Sequence, residues 1–90
     1  MKIWAKTVLE EKITRDVLYE YTSIVNEAEF VAALQEICEL MDIPTPIATN
    51  VNFNHFVMFN NTRFTARDFV ESIDFDILDI EAVPEREKRR

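Results

Sequence analysis

The sequence contains no glycine. Glycine enters positive φ without a Cβ clash and lets backbone come close to a ligand. At average usage a chain of this length would hold about six. Its absence removes the usual forms of the dinucleotide fingerprint, the P-loop, the nucleophile elbow and the EF-hand turn. Each left-handed corner must then fall to another residue. Asparagine is among the least penalised there, and Asn60-Asn61 is the expected pair.

Residues 2–9 alternate Ile3, Ala5, Thr7 and Leu9 against Lys2, Trp4, Lys6 and Val8, a strand pattern with neither side wholly polar. Over 13–22 the side chains Ile13, Val17, Tyr19 and Tyr21 share one parity, and the β-favouring Ile, Thr, Val and Tyr point to a second strand after a turn at Glu10–Lys12. The spacing of Leu9, Ile13, Val17, Tyr21 and Ile24 would also suit a helix, but Asp16 and Glu20 would intrude on its apolar stripe. A helix is predicted from about Glu27 to Met41. Asn26 is a good N-cap, Glu29 stands where a capping box needs a carboxylate, and Val25 and Phe30 hold the staple positions. Phe30, Leu34, Ile37 and Met41 form its apolar stripe, and Pro44 and Pro46 stop it.

Residues 47–64 read two ways. Asn50, Asn52 and Asn54 alternating with Val51 and Phe53 suit a strand, while Phe53, Phe56 and Val57 cluster on one helical face behind a Thr49 or Asn50 cap. Thr62-Arg63-Phe64 reads as a structural turn, with Arg63 expected to pair with one of the acids at 68–81, for example Asp74 or Asp76. Thr65-Ala66-Arg67-Asp68 has capping-box spacing for a short helical turn leading to Phe69 and Val70. A last strand is expected from about Asp74 to Val83. Its apolar parity changes from Phe75 and Ile77 to Leu78, Ile80 and Ala82, which implies a bulge near Ile77–Leu78 or burial on both faces.

Taken together, Trp4-Ala5-Lys6, the Pro46…Asn50 segment, Thr62-Arg63-Phe64…Phe69-Val70-Glu71 and Ile73-Asp74-Phe75-Asp76…Leu78 resemble a family of short uncharacterised bacterial proteins. The resemblance covers most of the chain and implies a helix at 50–59. The family's stretch there is more basic, whereas Val51–Phe59 is Asn-rich and uncharged. No activity comes with the resemblance.

Ninety residues suit one domain, read here as 1–84, followed by a charged tail at 85–90. Residues 1–84 carry fifteen acids against six bases, a charge of −9, and the tail carries four bases against two acids, +2. An acidic body repels phosphate backbones and anionic lipid. Nucleic acid is therefore not an expected partner, unless the tail joins Arg63 and Arg67 in one basic patch. The single cysteine, Cys38, fits a reducing compartment, and no apolar run approaches the ~20 residues needed to span a bilayer. These features lead to the expectation of a soluble, cytoplasmic protein with no membrane partner.

Reactive constellations are sparse. Cys38 with His55 could form a thiol–base pair, but a cysteine beside an apolar helical stripe more often packs as a small hydrophobe. One histidine and one cysteine fall short of a zinc set. Asp74, Asp76, Asp79 and Glu81, with Asp68 and Glu71, make six acids in fourteen residues, and Asp74 and Asp76 are expected on one strand face. Such acids are first a solvated sheet face, second a surface for a basic partner, and third an oxygen-ligand site for Ca²⁺ or Mg²⁺. Arg63 and Arg67 are the candidate anion or partner contacts. Trp4 and Val8 share a strand face with Lys6, and a helix on the opposite side would leave Trp4 partly exposed as a candidate interface.

The expected fold is α+β: a small antiparallel sheet of about three strands, in the order β-β-α-(α)-β, with one main amphipathic helix packed on one face. The expected core is Ile3, Ala5, Ile13, Val17, Tyr19, Phe30, Leu34, Ile37, Met41, Phe56, Phe64, Phe69, Phe75, Ile77 and Ile80. The expected function is a non-catalytic interaction module, binding a protein partner or itself as a homodimer. The alternative is a small-ligand or divalent-metal domain using the acids at 68–81. Neither an enzyme activity nor a cofactor is expected.

Overall fold

The first two strands form a hairpin around Glu10 and Glu11, both of which hold left-handed backbone (φ 52° and 70°). Strand β1 (Lys2–Leu9) runs into this two-residue turn and β2 (Lys12–Glu20) runs out of it, with Leu9 opposite Lys12. Two positive φ values in a two-residue hairpin loop match the twist of the flanking strands. Carboxylates fill positions where Asn-Gly is the usual solution. Asp42 (φ 58°) and Asn60 (φ 64°) are the other left-handed residues among those described, each ending a helix. Asn60 is thus left-handed as expected; the remaining such corners fall to acids. The computed structural model describes residues 1–84; the expected tail at 85–90 lies outside the described residues.

Helix α1 (Glu27–Met41) starts on the cap read from sequence. Asn26 Oδ1 accepts from the Glu29 backbone N–H at 2.9 Å, and Glu29 Oε1 accepts from the Val25 N–H at 2.8 Å. Phe30, Leu34, Ile37 and Met41 are buried. At 1.5–3 kcal/mol per large apolar side chain, this stripe contributes roughly 6–12 kcal/mol of gross burial energy. Helix α2 (Asn50–Phe59) resolves the ambiguous segment as helical. Asn52 Oδ1 accepts from both the Thr49 N–H (2.9 Å) and the Thr49 hydroxyl (3.1 Å), so an asparagine supplies the reciprocal half of the cap. The Phe30 ring lies 5.3 Å from Phe56 and 5.8 Å from Phe53, joining the two helices.

The sheet has four strands among the described residues, in the order β2-β1-β4-β3 and antiparallel throughout. The α+β class stands; the extra strand is β3 (Asn61–Thr65), which takes the place of the expected turn at Thr62-Arg63-Phe64. A 3-10 turn (Ala66–Asp68) follows, closed by Asp68 Oδ2 on the Thr65 N–H at 2.8 Å. Strand β4 spans Ile77–Val83, so Asp74 and Asp76 lie in the preceding loop and not on a strand face. This explains the change of parity: Phe75 is buried from the loop, edge-on to Phe69 at 5.6 Å, while Leu78 and Ile80 are buried from the strand.

The bulge lies elsewhere. The β1–β2 register shifts between Thr7 and Val8, where Thr7 faces Arg15 and Val8 faces Ile13. Thr14 is the extra residue, and its hydroxyl meets that of Thr7 at 2.8 Å. The shift carries Ile13 to the side opposite the helices, where it is 51% exposed instead of in the core. Ile77 likewise pairs with Val8 and is only half-buried, so it too leaves the expected core. Val17 and Tyr19 pack against the core from its margin. The centre of the core is Ile3, Ala5, Phe64, Leu78 and Ile80 beneath Phe30, Leu34, Ile37 and Cys38.

Candidate functional site: the open face of the sheet

The helices cover one side of the sheet: α1 contacts β2, and α2 contacts β3. On the other side the register lines up residues in rows across the strands. One row reads Asp16, Lys6, Asp79, Arg63 along β2-β1-β4-β3. The next reads Leu18, Trp4, Glu81, Asn61, and at the opposite end lie Ile13, Val8, Ile77 and Thr65.

Lys6 is the centre of this face. Its ammonium lies 3.0 Å from Glu81 Oε1 and 3.7 Å from Asp79 Oδ2, and 3.9 Å from the centroid of the Trp4 ring. Its side chain is only 7% exposed, although no helix lies over it. An ammonium can be desolvated at tolerable cost only when opposite charges and hydrogen-bond acceptors surround it. Two carboxylates and an indole face meet that need here. The indole N–H in turn donates to Asp16 Oδ2 at 2.9 Å, which orients Trp4 across Lys6. Around this polar centre Ile13 and Leu18 are more than half exposed, at 51% and 59%, and Val8 and Ile77 are half-buried.

The four acids singled out in sequence separate into two groups. Asp79 and Glu81 stand on the open face with Lys6. Asp74 pairs with Arg15 at 3.3 Å, and Asp76 Oδ2 accepts from the Glu10 N–H at 3.0 Å. Arg63 pairs with one of the clustered acids, as expected, but with Asp79 at 3.9 Å and not with Asp74 or Asp76, because β3 places it across the ladder from Asp79. Arg67 is exposed on the 3-10 turn beyond the end of β3. Among the described residues no three His, Cys, Asp or Glu side chains are grouped closely enough to hold a metal ion.

Cys38 is fully enclosed in the core, and burial pushes its thiol up to about 11 against a weaker opposing hydrogen bond from Thr45. A thiol so held is protonated and unreactive at neutral pH. His55 sits exposed on α2, with Nδ1 2.8 Å from the Asn61 carbonyl oxygen. A carbonyl only accepts, so Nδ1 carries the proton. Tyr19 Oη donates to Glu36 Oε1 at 2.5 Å; that bond, with burial and the carboxylate's charge, raises the phenol above its usual range.

A second exposed apolar surface, on α2, escaped the sequence analysis: Val51, Val57, Met58 and Phe59 are all more than half exposed. The lack of any charged residue in 50–59 was its sequence signal. No family model, curated protein or solved structure matches the chain, and no described helix is long and apolar enough to cross a membrane.

Proposed function

We propose that the protein is a non-catalytic interaction module that binds another polypeptide through the open face of its sheet. The observation that carries this reading is Lys6: a cation desolvated in the middle of a surface, capped by an aromatic ring and flanked by exposed aliphatic side chains. Interfaces have this composition, with aromatic and aliphatic anchors around fully paired charges and a polar rim. The net charge of −7 supports a protein partner over nucleic acid or anionic lipid. The partly exposed Trp4 ring and the exposed Ile13 and Leu18 side chains already stand at the surface.

A photo-crosslinking residue at Leu18 tests this reading in the native cell, with Leu40 on α1 and Met58 on α2 as exposed apolar controls. Discrete cross-linked protein species are expected from Leu18, and Trp4→Ala should suppress them. Cross-links from Met58 or Leu40 with none from Leu18 would overturn the assignment of the surface.

A further inference from the structure

Resting on the reading that the open face is a contact surface, we infer that its occupant is a second copy of this chain, packed sheet to sheet about a two-fold axis parallel to the strands. The charge order selects this arrangement. Asp16, Lys6, Asp79 and Arg63 alternate in sign across the four strands. An isologous interface has its two-fold axis in the plane of contact. If that axis runs perpendicular to the strands and through the row, the strand order is kept and Asp16 meets Asp16, Lys6 meets Lys6. If it runs parallel to the strands, midway between β1 and β4, the order reverses: β2 lies over β3 of the other copy and β1 over β4. Asp16 of one copy then faces Arg63 of the other, and Lys6 faces Asp79, each pair occurring twice. The same operation sets Val8 against Ile77 and Leu18 against Asn61. Lys6 and Asp79 are already paired within each copy, so the exposed edge residues decide: the first axis sets Asp16 on Asp16 and Arg63 on Arg63, and the second sets Asp16 on Arg63.

Sheet twist does not destroy this match. Aligned sheets pack with their strands rotated by about 30°. With strands about 4.8 Å apart, an edge strand lies about 7 Å from the axis, and the rotation shifts its residues by roughly 4 Å relative to their opposites. Same-face neighbours along a strand are about 7 Å apart, so the central strands, shifted by only about 1 Å, keep their rows, and at the edges the long, exposed Arg63 side chain has to span the offset to reach Asp16. Seen in projection the face covers roughly 500 Å², below the ~800 Å² per partner of a standard interface before side-chain relief is counted. A dimer in the micromolar range is expected. Opposed charges across such a contact set its register and exclude the like-charged alternative.

The test uses charge reversal in two separate chains. Sedimentation equilibrium of the wild type should show a monomer–dimer equilibrium. Asp16→Arg and Arg63→Asp should each weaken it by about tenfold or more, because each places two like-charged pairs across the contact. Mixed in equal amounts, the two variants should form a heterodimer in which both contacts are again opposite in sign. Circular dichroism checks that each is folded. Should either fail to fold, Leu18→Cys and Asn61→Cys preparations replace them: on mixing, the hetero-disulfide should form in preference to either homo-disulfide, while the enclosed Cys38 stays silent. A wild type that is monomeric at high micromolar concentration overturns the inference, and if Leu18 cross-links to a different protein the interaction reading survives it. A dimer unaffected by both reversals, or variants that do not recombine, overturns the two-fold arrangement.

Discussion

The hairpin turn offers the sharpest test of how a chain without glycine manages its corners. Glu10 and Glu11 both hold left-handed backbone, at φ 52° and 70°. A residue with a Cβ pays about 1–2 kcal/mol for that conformation. Replacing the pair by Asn-Gly should relieve most of this at Glu11 and part of it at Glu10. The new glycine loosens the unfolded chain, which offsets the gain by about 0.4–1 kcal/mol. Removing two adjacent carboxylates, one of whose backbone N–H groups bonds Asp76, also reduces repulsion at this end of the sheet. That N–H survives the substitution. The net expectation is a gain of about 1.5 kcal/mol, or roughly 6–12 °C in Tm for a domain of this size. Urea and thermal unfolding of Glu10→Asn/Glu11→Gly against the wild type measure it, and repeating both in high salt separates relief of backbone strain from relief of charge. Gln35→Gly on the exposed side of α1 serves as control and should lose about 1 kcal/mol. A double variant no more stable than the wild type in high salt would refute the claim that this turn is strained.

Two further outcomes follow from buried groups. Lys6→Met keeps the aliphatic stem but leaves Asp79 and Glu81 without their cation, and should cost about 2 kcal/mol in urea unfolding, less than a fully buried pair because both acids retain some contact with water; unchanged stability would show that only the stem matters. The Cys38 thiol is pushed up to about 11 by burial, from an ordinary value of 9.0. Because the folded state favours the neutral thiol, its contribution is complete below about pH 9 and is lost as pH rises toward 11, a fall of up to about 2–3 kcal/mol. Unfolding titrations of wild type and Cys38→Ala compare the slopes, and the variant should be flatter in that window; equal slopes would assign the alkaline loss to other groups, such as the Tyr19 and Tyr21 phenols, whose titration is also displaced upward.

Helix α1 was legible because its signals are local and redundant: an Asn26 cap, a Glu29 return bond and an apolar stripe all name the same element. Helix α2 was legible only through the family resemblance, which implied a helix at 50–59; the residues themselves left it open, because Asn50, Asn52 and Asn54 favour neither interior and what decides the segment is burial of Phe56 against Phe30, a contact between distant residues. Strand β3 was hidden for a related reason. Thr62-Arg63-Phe64 is too short to show alternation, and its extended form is held by pairing with β4, fourteen to eighteen residues away. The open face was half visible, since the alternation in residues 2–9 puts Trp4, Lys6 and Val8 on one side. Its full extent depends on the bulge at Thr14, which moves Ile13 across the sheet by inserting one residue and leaves no mark in composition or spacing.

The central position of β1 and β4 in the sheet governs how the molecule answers to force. These strands are antiparallel neighbours, with Lys2 directly opposite Val83, so the two ends of the described chain leave the middle of the sheet at the same end of the strands. Tension applied between those ends peels the strands apart, loading the ladder one pair of bonds at a time instead of shearing all of them at once. Force applied between residues 2 and 83 therefore meets less resistance than shear along the same ladder would offer. The same geometry lets a short peptide join residues 2 and 83, so that tension no longer opens the β1–β4 ladder from that end.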